Sequence, residues 1–520
     1  VRTTGDAALA IIMKKRSKRP STLRNVSRRE FLALGAACTL PAALSRCNPT
    51  GPAAVSAGSG ASPERPNVIV FLADTLRADG LGGYGNSYNT SPNIDAWAEN
   101  AMVFDQCYSQ SSWTKPSVAS LFTGMLPRVH QAAVSEWHLP DIDKVPVQLV
   151  RDQFVTLAEA FQAMGYITGM FAANPHVQQE FGFAQGFDKY QYMNTQGAAG
   201  QISDVMEWLI SIENENKPFF AFIHEIDPHG PYTPTPGRCQ ALFGRTCDEL
   251  RAELNNDDRT ILENYTLFYE KQFAGEAGER PPLDQLSERG VKSLRMLYDA
   301  EVSYVDEQFH RLVRWLDRTG RGAKTMMTLF GDHGEGFGEH FTFLHGNSLF
   351  DEEVHVPLIV RHPLMEKQIR VPSTVSLMDL YPTLVTLVGG TPPANLQAES
   401  LATDQGSVAI ESDRPVFADL EHGTADIGKW STTMVQGQYK VMVDAKQPER
   451  IKVYDRVRDP GEVGELLGKP EDPGEHVHQL VAKYQQTLEK HRKLSTSLGD
   501  AEWTEGSEQM REEINAIGYI

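Results

Sequence analysis

Two acidic positions in this chain are not explained by packing. Asp74 follows the apolar run Val68-Ile69-Val70-Phe71-Leu72-Ala73, and Asp332 with His333 follows a second apolar run over 326–330. Short continuous apolar runs read as buried strands. Open α/β sheets gather their ligands at strand ends. Two carboxylates and an imidazole on converging loops make a donor set for one divalent cation. The local alternative is capping, with Asp74 holding a turn and Asp332 a Gly-rich loop.

The surrounding elements must bring these loops together. Runs at 68–73, 167–172, 219–223 and 326–330 read as buried strands, and helical patterns at 91–100, 157–164, 203–214 and 293–319 alternate with them. Such alternation predicts an α/β fold: a large, mostly parallel sheet sandwiched by helices. From about Ala398 the texture changes to shorter strands at 416–420, 432–436, 439–443 and 451–454, then a helix over 477–494. That pattern predicts a smaller C-terminal α+β subdomain. A length of 520 residues fits one large domain plus a small one. The expected divisions are 1–63, 64–397 and 398–520.

The stretch Ser111-Ser112-Trp113-Thr114-Lys115-Pro116-Ser117-Val118-Ala119-Ser120-Leu121-Phe122-Thr123-Gly124 resembles the signature of the sulfatase family. In that family Cys or Ser opens a C/S-x-P-x-R segment at a helix start and is oxidised to formylglycine. Further segments match in the family's order: the strand ending on Asp74, Ser91-Pro92-Asn93-Ile94-Asp95, Gly186-Phe187-Asp188, and Asp227-Pro228-His229-Gly230-Pro231-Tyr232. The series continues through Gly331-Asp332-His333-Gly334-Glu335, Gly338-Glu339-His340, His345-Gly346, Val356-Pro357-Leu358-Ile359, and Tyr454-Asp455 with Asp459-Pro460-Gly461-Glu462. It closes with Ala516-Ile517-Gly518-Tyr519-Ile520. The resemblance implies an alkaline-phosphatase-like fold and a metal shared by Asp74, Asp332, His333 and the Thr114 oxygen. It also implies that His229 and His345 touch the ester or protonate the leaving group, which suits an imidazole of reference pKa near 6.5. His224, on a strand before its turn, is expected to be structural.

The departures carry as much information as the matches. Thr114 stands where the oxidisable residue belongs, and Val118 stands where the Arg belongs. Oxidised Thr would be a ketone, so no formylglycine is expected and the Thr114 hydroxyl itself must attack. Lys115 has two readings, a cation acting beside the nucleophile or an ordinary solvated lysine. Many family members carry Asp where Thr75 stands and Asn where His333 stands. The change lowers the negative charge and adds nitrogen, favouring manganese, zinc or magnesium, with calcium possible. The spacing of Asp74 and Asp79 with Asp332-His333 looks more like phosphonate monoester hydrolases and threonine-nucleophile transferases of the alkaline phosphatase superfamily.

A covalent ester on Thr114 cannot collapse as a hemiacetal does, so it must be released by attack of water or an alcohol. The implied function is hydrolysis or transfer of phosphate-type esters. Sulfate ester hydrolysis is the alternative, and a silent binder of anionic glycans or lipids is a third reading. The partner is an anionic ester on a glycan, lipid or small molecule; oligomeric state has no signal.

Ser27-Arg28-Arg29-Glu30-Phe31-Leu32 looks like a twin-arginine export motif, followed by a short apolar run to Leu44. Met13, ahead of a Lys/Arg cluster, is the expected start. The predicted location is periplasmic, or membrane-anchored if Cys47 is lipidated. A net charge of −19 argues against nucleic acid. Cys239 and Cys247 flank a short loop and are placed to pair outside the cytoplasm, while Cys107 has no evident partner.

Overall fold

A computed structural model describes residues 65–133, 145–193, 197–273, 281–282, 285–403, 410, 414–421, 430–468 and 474–506. The export motif, Cys47 and residues 516–520 lie outside the described residues. Strands are β1 Asn67–Ala73, β2 Met102–Tyr108, β3 Val145–Gln148, β4 Ile167–Ala172, β5 Lys189–Tyr192, β6 Phe219–Glu225, β7 Thr325–Gly331 and β8 Gly336–Phe337. They continue as β9 Phe343–Leu344, β10 His355–Arg361, β11 Ile369–Ser376, β12 Val416–Glu421, β13 Trp430–Gln436, β14 Tyr439–Val443, β15 Ile451–Asp455 and β16 Trp503–Gly506.

Eight strands form the main sheet in the order β11-β2-β10-β7-β1-β6-β4-β5. Neighbours run parallel except at β10, which is antiparallel to both β2 and β7. The central strand β1 explains its own composition. Val68, Val70 and Leu72 enter one apolar cluster, while Ile69, Phe71 and Ala73 enter another on the opposite face. A strand covered on both sides has no polar face, hence the unbroken apolar run. The helices Pro92–Ala98, Gly197–Ser211 and Glu288–Arg318 supply buried side chains to the second cluster. Thr114–Thr123 and Leu157–Ala163 supply the first.

The register then positions the site. Ala73 pairs with Gly331 in parallel, so Asp74 and Asp332 each stand one residue past the same ladder rung. On the other side Ala73 pairs with Glu225, and Leu72 with His224.

The C-terminal part is the antiparallel sheet β12-β13-β14-β15. The helix Glu475–Ser497 covers it through Val477, Leu480 and Tyr484, which cluster with Met434, Val441 and Val453. Cys239 and Cys247 form a disulfide, and Cys107 is a buried free thiol.

Candidate active site

Asp74, Asp332 and His333 are fully buried, and their ligand atoms lie within 4.8 Å of one another. Each carboxylate is held by one oxygen. Asp74 Oδ2 accepts from Asn174 Nδ2 at 2.7 Å and lies 3.0 Å from His224 Nε2. Asp332 Oδ1 accepts from the backbone N–H groups of Thr75 at 3.3 Å and His333 at 3.0 Å. The remaining oxygens, Asp74 Oδ1 and Asp332 Oδ2, have no hydrogen-bond partner among the described residues. They lie 3.5 and 3.6 Å from His333 Nε2. His333 Nδ1 donates to the Gly334 carbonyl at 2.9 Å, which leaves Nε2 with a lone pair facing both oxygens. Two orphaned carboxylate oxygens and one imidazole lone pair converging in a buried space fit a divalent cation, since burying them without one is costly.

The backbone that presents these groups is tightly constrained. Thr75 adopts φ 55°, the left-handed region that a β-branched residue rarely enters. Its carbonyl accepts from Tyr298 Oη at 2.9 Å, which helps to hold it there. A Cβ on Gly331 would lie 2.2 Å from the Leu76 carbonyl oxygen, and one on Gly334 would lie 2.0 Å from that of Glu352. The Gly-Asp-His-Gly pattern is therefore set by close backbone approach. Asp79 is not part of the cluster; its carboxylate binds Arg77 at 2.8 Å and Arg295 at 3.1 Å.

Thr114 is the first residue of the helix Thr114–Thr123, every residue of which is buried. The first N–H groups of a helix have no carbonyl one turn back, so this end favours an anion. Thr114 Oγ1 lies 3.2 Å from His333 Nε2 and accepts from Asn174 Nδ2 at 3.2 Å. One turn along, Ser117 donates to the Asp332 carbonyl at 2.6 Å and ties the helix to the end of β7.

Lys115 does not face solvent. It is fully buried with Nζ 5.0 Å from the centre of the Phe181 ring, and burial pushes its pKa well below the usual lysine value.

His345 lies over the cluster, its ring 4.5 Å from that of His333 and 4.8 Å from that of His229. Its Nδ1 bonds Glu335 Oε1 at 2.9 Å. Burial lowers the pKa of His345 to about 4 and of His333 to about 3, and raises that of Glu335 to about 7. Asp332 is pushed well up by burial and by the neighbouring charge of Asp74. Burial also acts to raise Asp74, but the His224 hydrogen bond and the surrounding imidazoles bring it below the usual range.

The structure thus gathers Asp74, Thr114, Asp332, His333 and His345 in one place, with His229 against His345. Four contributors were not singled out in the sequence: Asn174, Ser117, Glu335 and, as more than a structural residue, His224. Asn174 had a signal, since it follows β4 much as Asp74 follows β1. Ser117 and Glu335 lie inside the matched motifs but were given no role there, and Ser117 and His224 touch partners 215 and 150 residues away, Asp332 and Asp74.

Comparison with known proteins places these features in a family context. The model described as Sulfatase matches residues 66–390, and that described as N-sulphoglucosamine sulphohydrolase, C-terminal, matches 338–493. An ulvan-active sulfatase of Formosa agariphila is 22% identical over 444 residues, covering 79% of this chain and 78% of that protein. The phosphonate monoester hydrolase of Agrobacterium radiobacter superposes with a TM-score of 0.63 at 20% identity, covering 83% of this chain and 96% of the other. A protein solved with its substrate D-glucosamine-2-N,6-O-disulfate gives 0.62 at 21% identity, with 84% and 99% covered.

Proposed function

Because the chain belongs to the sulfatase family, as an ester hydrolase on the alkaline-phosphatase-like fold, we propose that it cleaves anionic sulfate or phosphate-type esters through the Thr114 hydroxyl. The observation that carries this reading is the placement of Thr114 Oγ1. It sits at a buried helix start, 3.2 Å from His333 Nε2 and beside the Asp74–Asp332 pair. A threonine is common at a helix start, but here its oxygen is turned to the two groups that flank the carboxylate pair, His333 Nε2 and Asn174 Nδ2.

Asp74, Asp332, His333 and the Thr114 oxygen would hold the cation. When bound, it would screen the two carboxylates and polarise the ester. The imidazole among the ligands favours manganese, zinc or magnesium over calcium. Thr114 Oγ1 forms a bond to the sulfur or phosphorus as its O–H proton is released, and the alcohol oxygen departs with the bonding pair and takes up a proton in return. His345, oriented by Glu335, and His229 against it would pass a proton to that oxygen. The helix N-terminus stabilises the anion, and Lys115 shapes the buried wall behind it. Release then requires attack by water on the covalent ester, or by an alcohol if the enzyme transfers the group.

The names borne by relatives point to a sulfated sugar as the substrate class. Phosphate-type esters remain the second reading, favoured by the unoxidisable nucleophile. The export motif and the Cys239–Cys247 disulfide support a periplasmic or outward-facing location. Intact mass after brief exposure to para-nitrophenyl sulfate and to bis-para-nitrophenyl phosphate tests the nucleophile: the expected result is a sulfate or phosphodiester adduct on Thr114. Full turnover by Thr114→Ala would show that another oxygen attacks.

A further inference from the structure

Asn174 is fully buried and pinned at three points. It caps the turn Pro175–Val177, where its Oδ1 accepts from the His176 N–H at 2.9 Å. That bond fixes which end of the amide points inward. Nδ2 then donates to Asp74 Oδ2 at 2.7 Å and to Thr114 Oγ1 at 3.2 Å. An amide nitrogen carries two hydrogens, and both are aimed at the reacting group and its neighbour. The Thr114 oxygen is thus bound to a donor whose orientation is set before substrate arrives.

In a double displacement this oxygen changes role. It is the nucleophile in the first half, where a donor on it gives no help, and the leaving group in the second, where negative charge builds on it. We propose that Asn174 is a catalytic residue for the second half, its amide N–H stabilising the Thr114 oxygen as the covalent ester breaks. This rests on the reading of Thr114 as nucleophile. In the step, the oxygen of water forms a bond to sulfur or phosphorus, and the bond from that atom to Oγ1 breaks with its electron pair on Oγ1. The proton lost by water restores the hydroxyl, and the freed anion departs. A preorganised donor of this kind contributes about 100-fold in rate.

Asn174→Ser keeps a capping oxygen for the His176 N–H and removes the amide donor; Asn174→Ala removes both. In the full-length protein loaded with manganese, both variants should lose about 100-fold in kcat on para-nitrophenyl sulfate or bis-para-nitrophenyl phosphate. KM should fall with kcat, leaving kcat/KM within about threefold. A burst of para-nitrophenol should precede the steady state, and intact mass should show the Thr114 ester accumulating. Metal content should match the unmodified protein. A loss of kcat/KM without burst or adduct overturns the proposal, and so does a loss of metal in Asn174→Ser, which would place the effect on Asp74. An unmodified protein that never forms the adduct, together with an active Thr114→Ala, removes the nucleophile itself. That failure is distinguishable from an adduct whose lifetime Asn174 does not change.

Discussion

Two buried clusters of charge differ in one respect that separates chemistry from architecture. Near the small sheet, Lys440 of β14 is fully buried, with Nζ 2.7 Å from Asp351 Oδ1 and 2.9 Å from Glu462 Oε1. Burial acts to lower the Lys440 pKa, but the two carboxylates raise it on balance, so the ammonium keeps its proton. Tyr108 Oη donates to Asp351 Oδ2 at 3.1 Å, and Arg456 Nε lies 3.6 Å from the same oxygen. This cluster supplies its own cations. At the strand ends, Asp74 and Asp332 face each other's neighbourhood with a neutral imidazole between them, and no lysine or arginine pairs with either among the described residues. A buried charge must be paired or it is costly. The closed cluster is therefore a joint within the fold, and the open one, on the proposed function, takes its cation from outside.

The comparison predicts opposite consequences of mutation. The largest effect belongs to the open cluster: Thr114→Ala should lower turnover by about three orders of magnitude or more, with the melting temperature little changed. Thr114→Ser should retain activity, since it keeps the oxygen and loses a methyl. Thr114→Cys should stay an unmodified thiol with poor turnover, because Val118 replaces the Arg of the maturation signal. Next come the ligands. Asp74→Ala, Asp332→Ala and His333→Ala should each reduce bound divalent metal by elemental analysis of folded protein. Unchanged metal in all three breaks the comparison at its root.

How much of this was legible in the sequence depended on whether the signal was local. Strands β1, β4, β6 and β7 were readable because burial on both faces leaves continuous apolar runs. The remaining half of the sheet was hidden. Strand β2 carries Asp105 and Gln106 in its middle, and β10 contains Pro357, which sits where the pairing register with β2 shifts between Val356 and Leu358. A proline in a strand is tolerated at such an irregularity and disguises the strand. The parallel majority was foreseen, but β10 is antiparallel to both neighbours. In the site, residues at strand ends or in motifs could be named; Asn174, though it follows a strand, was passed over, and His224 was read as structural, because their contacts with Asp74 span 100 and 150 residues. Nor could the sequence choose between the two readings of Lys115, because only packing put Phe181 beneath its ammonium.

The closed cluster yields the complementary prediction. Lys440→Met should cost about 3–5 kcal/mol, because it leaves the buried Glu462 carboxylate without its ammonium and Asp351 with only Arg456 as a cation among the described residues. Denaturant unfolding reads the loss, and kcat of the folded fraction with saturating metal should stay within about twofold. A Lys440→Met protein that is stable but inactive would reverse the assignment of the two clusters. Adding Asp351→Asn and Glu462→Gln should recover part of the stability, since the penalty lies in the orphaned charges.

The smallest effect lies at the rim of the closed cluster and is sensitive to pH. His340 Nδ1 bonds Glu352 Oε1 at 2.8 Å, its Nε2 lies 3.3 Å from the Glu462 carbonyl, and its ring stacks on Phe350 with centroids 3.5 Å apart. Partial burial acts to lower its pKa, yet the bond and charge of Glu352 raise it on balance above 6.5. A histidine whose folded pKa is raised stabilises the fold fully below its unfolded pKa, near 6.5, and loses that contribution as pH climbs through the folded value. His340→Gln should therefore be slightly less stable than the parent below pH about 6.5, with the gap closing above it. Solvent reaches this group, so the gap should stay under about 1 kcal/mol. Denaturant midpoints of the two proteins measured across that range give the answer, and a gap that widens with rising pH would mean that His340 is held neutral and bonds Glu352 only as an uncharged donor.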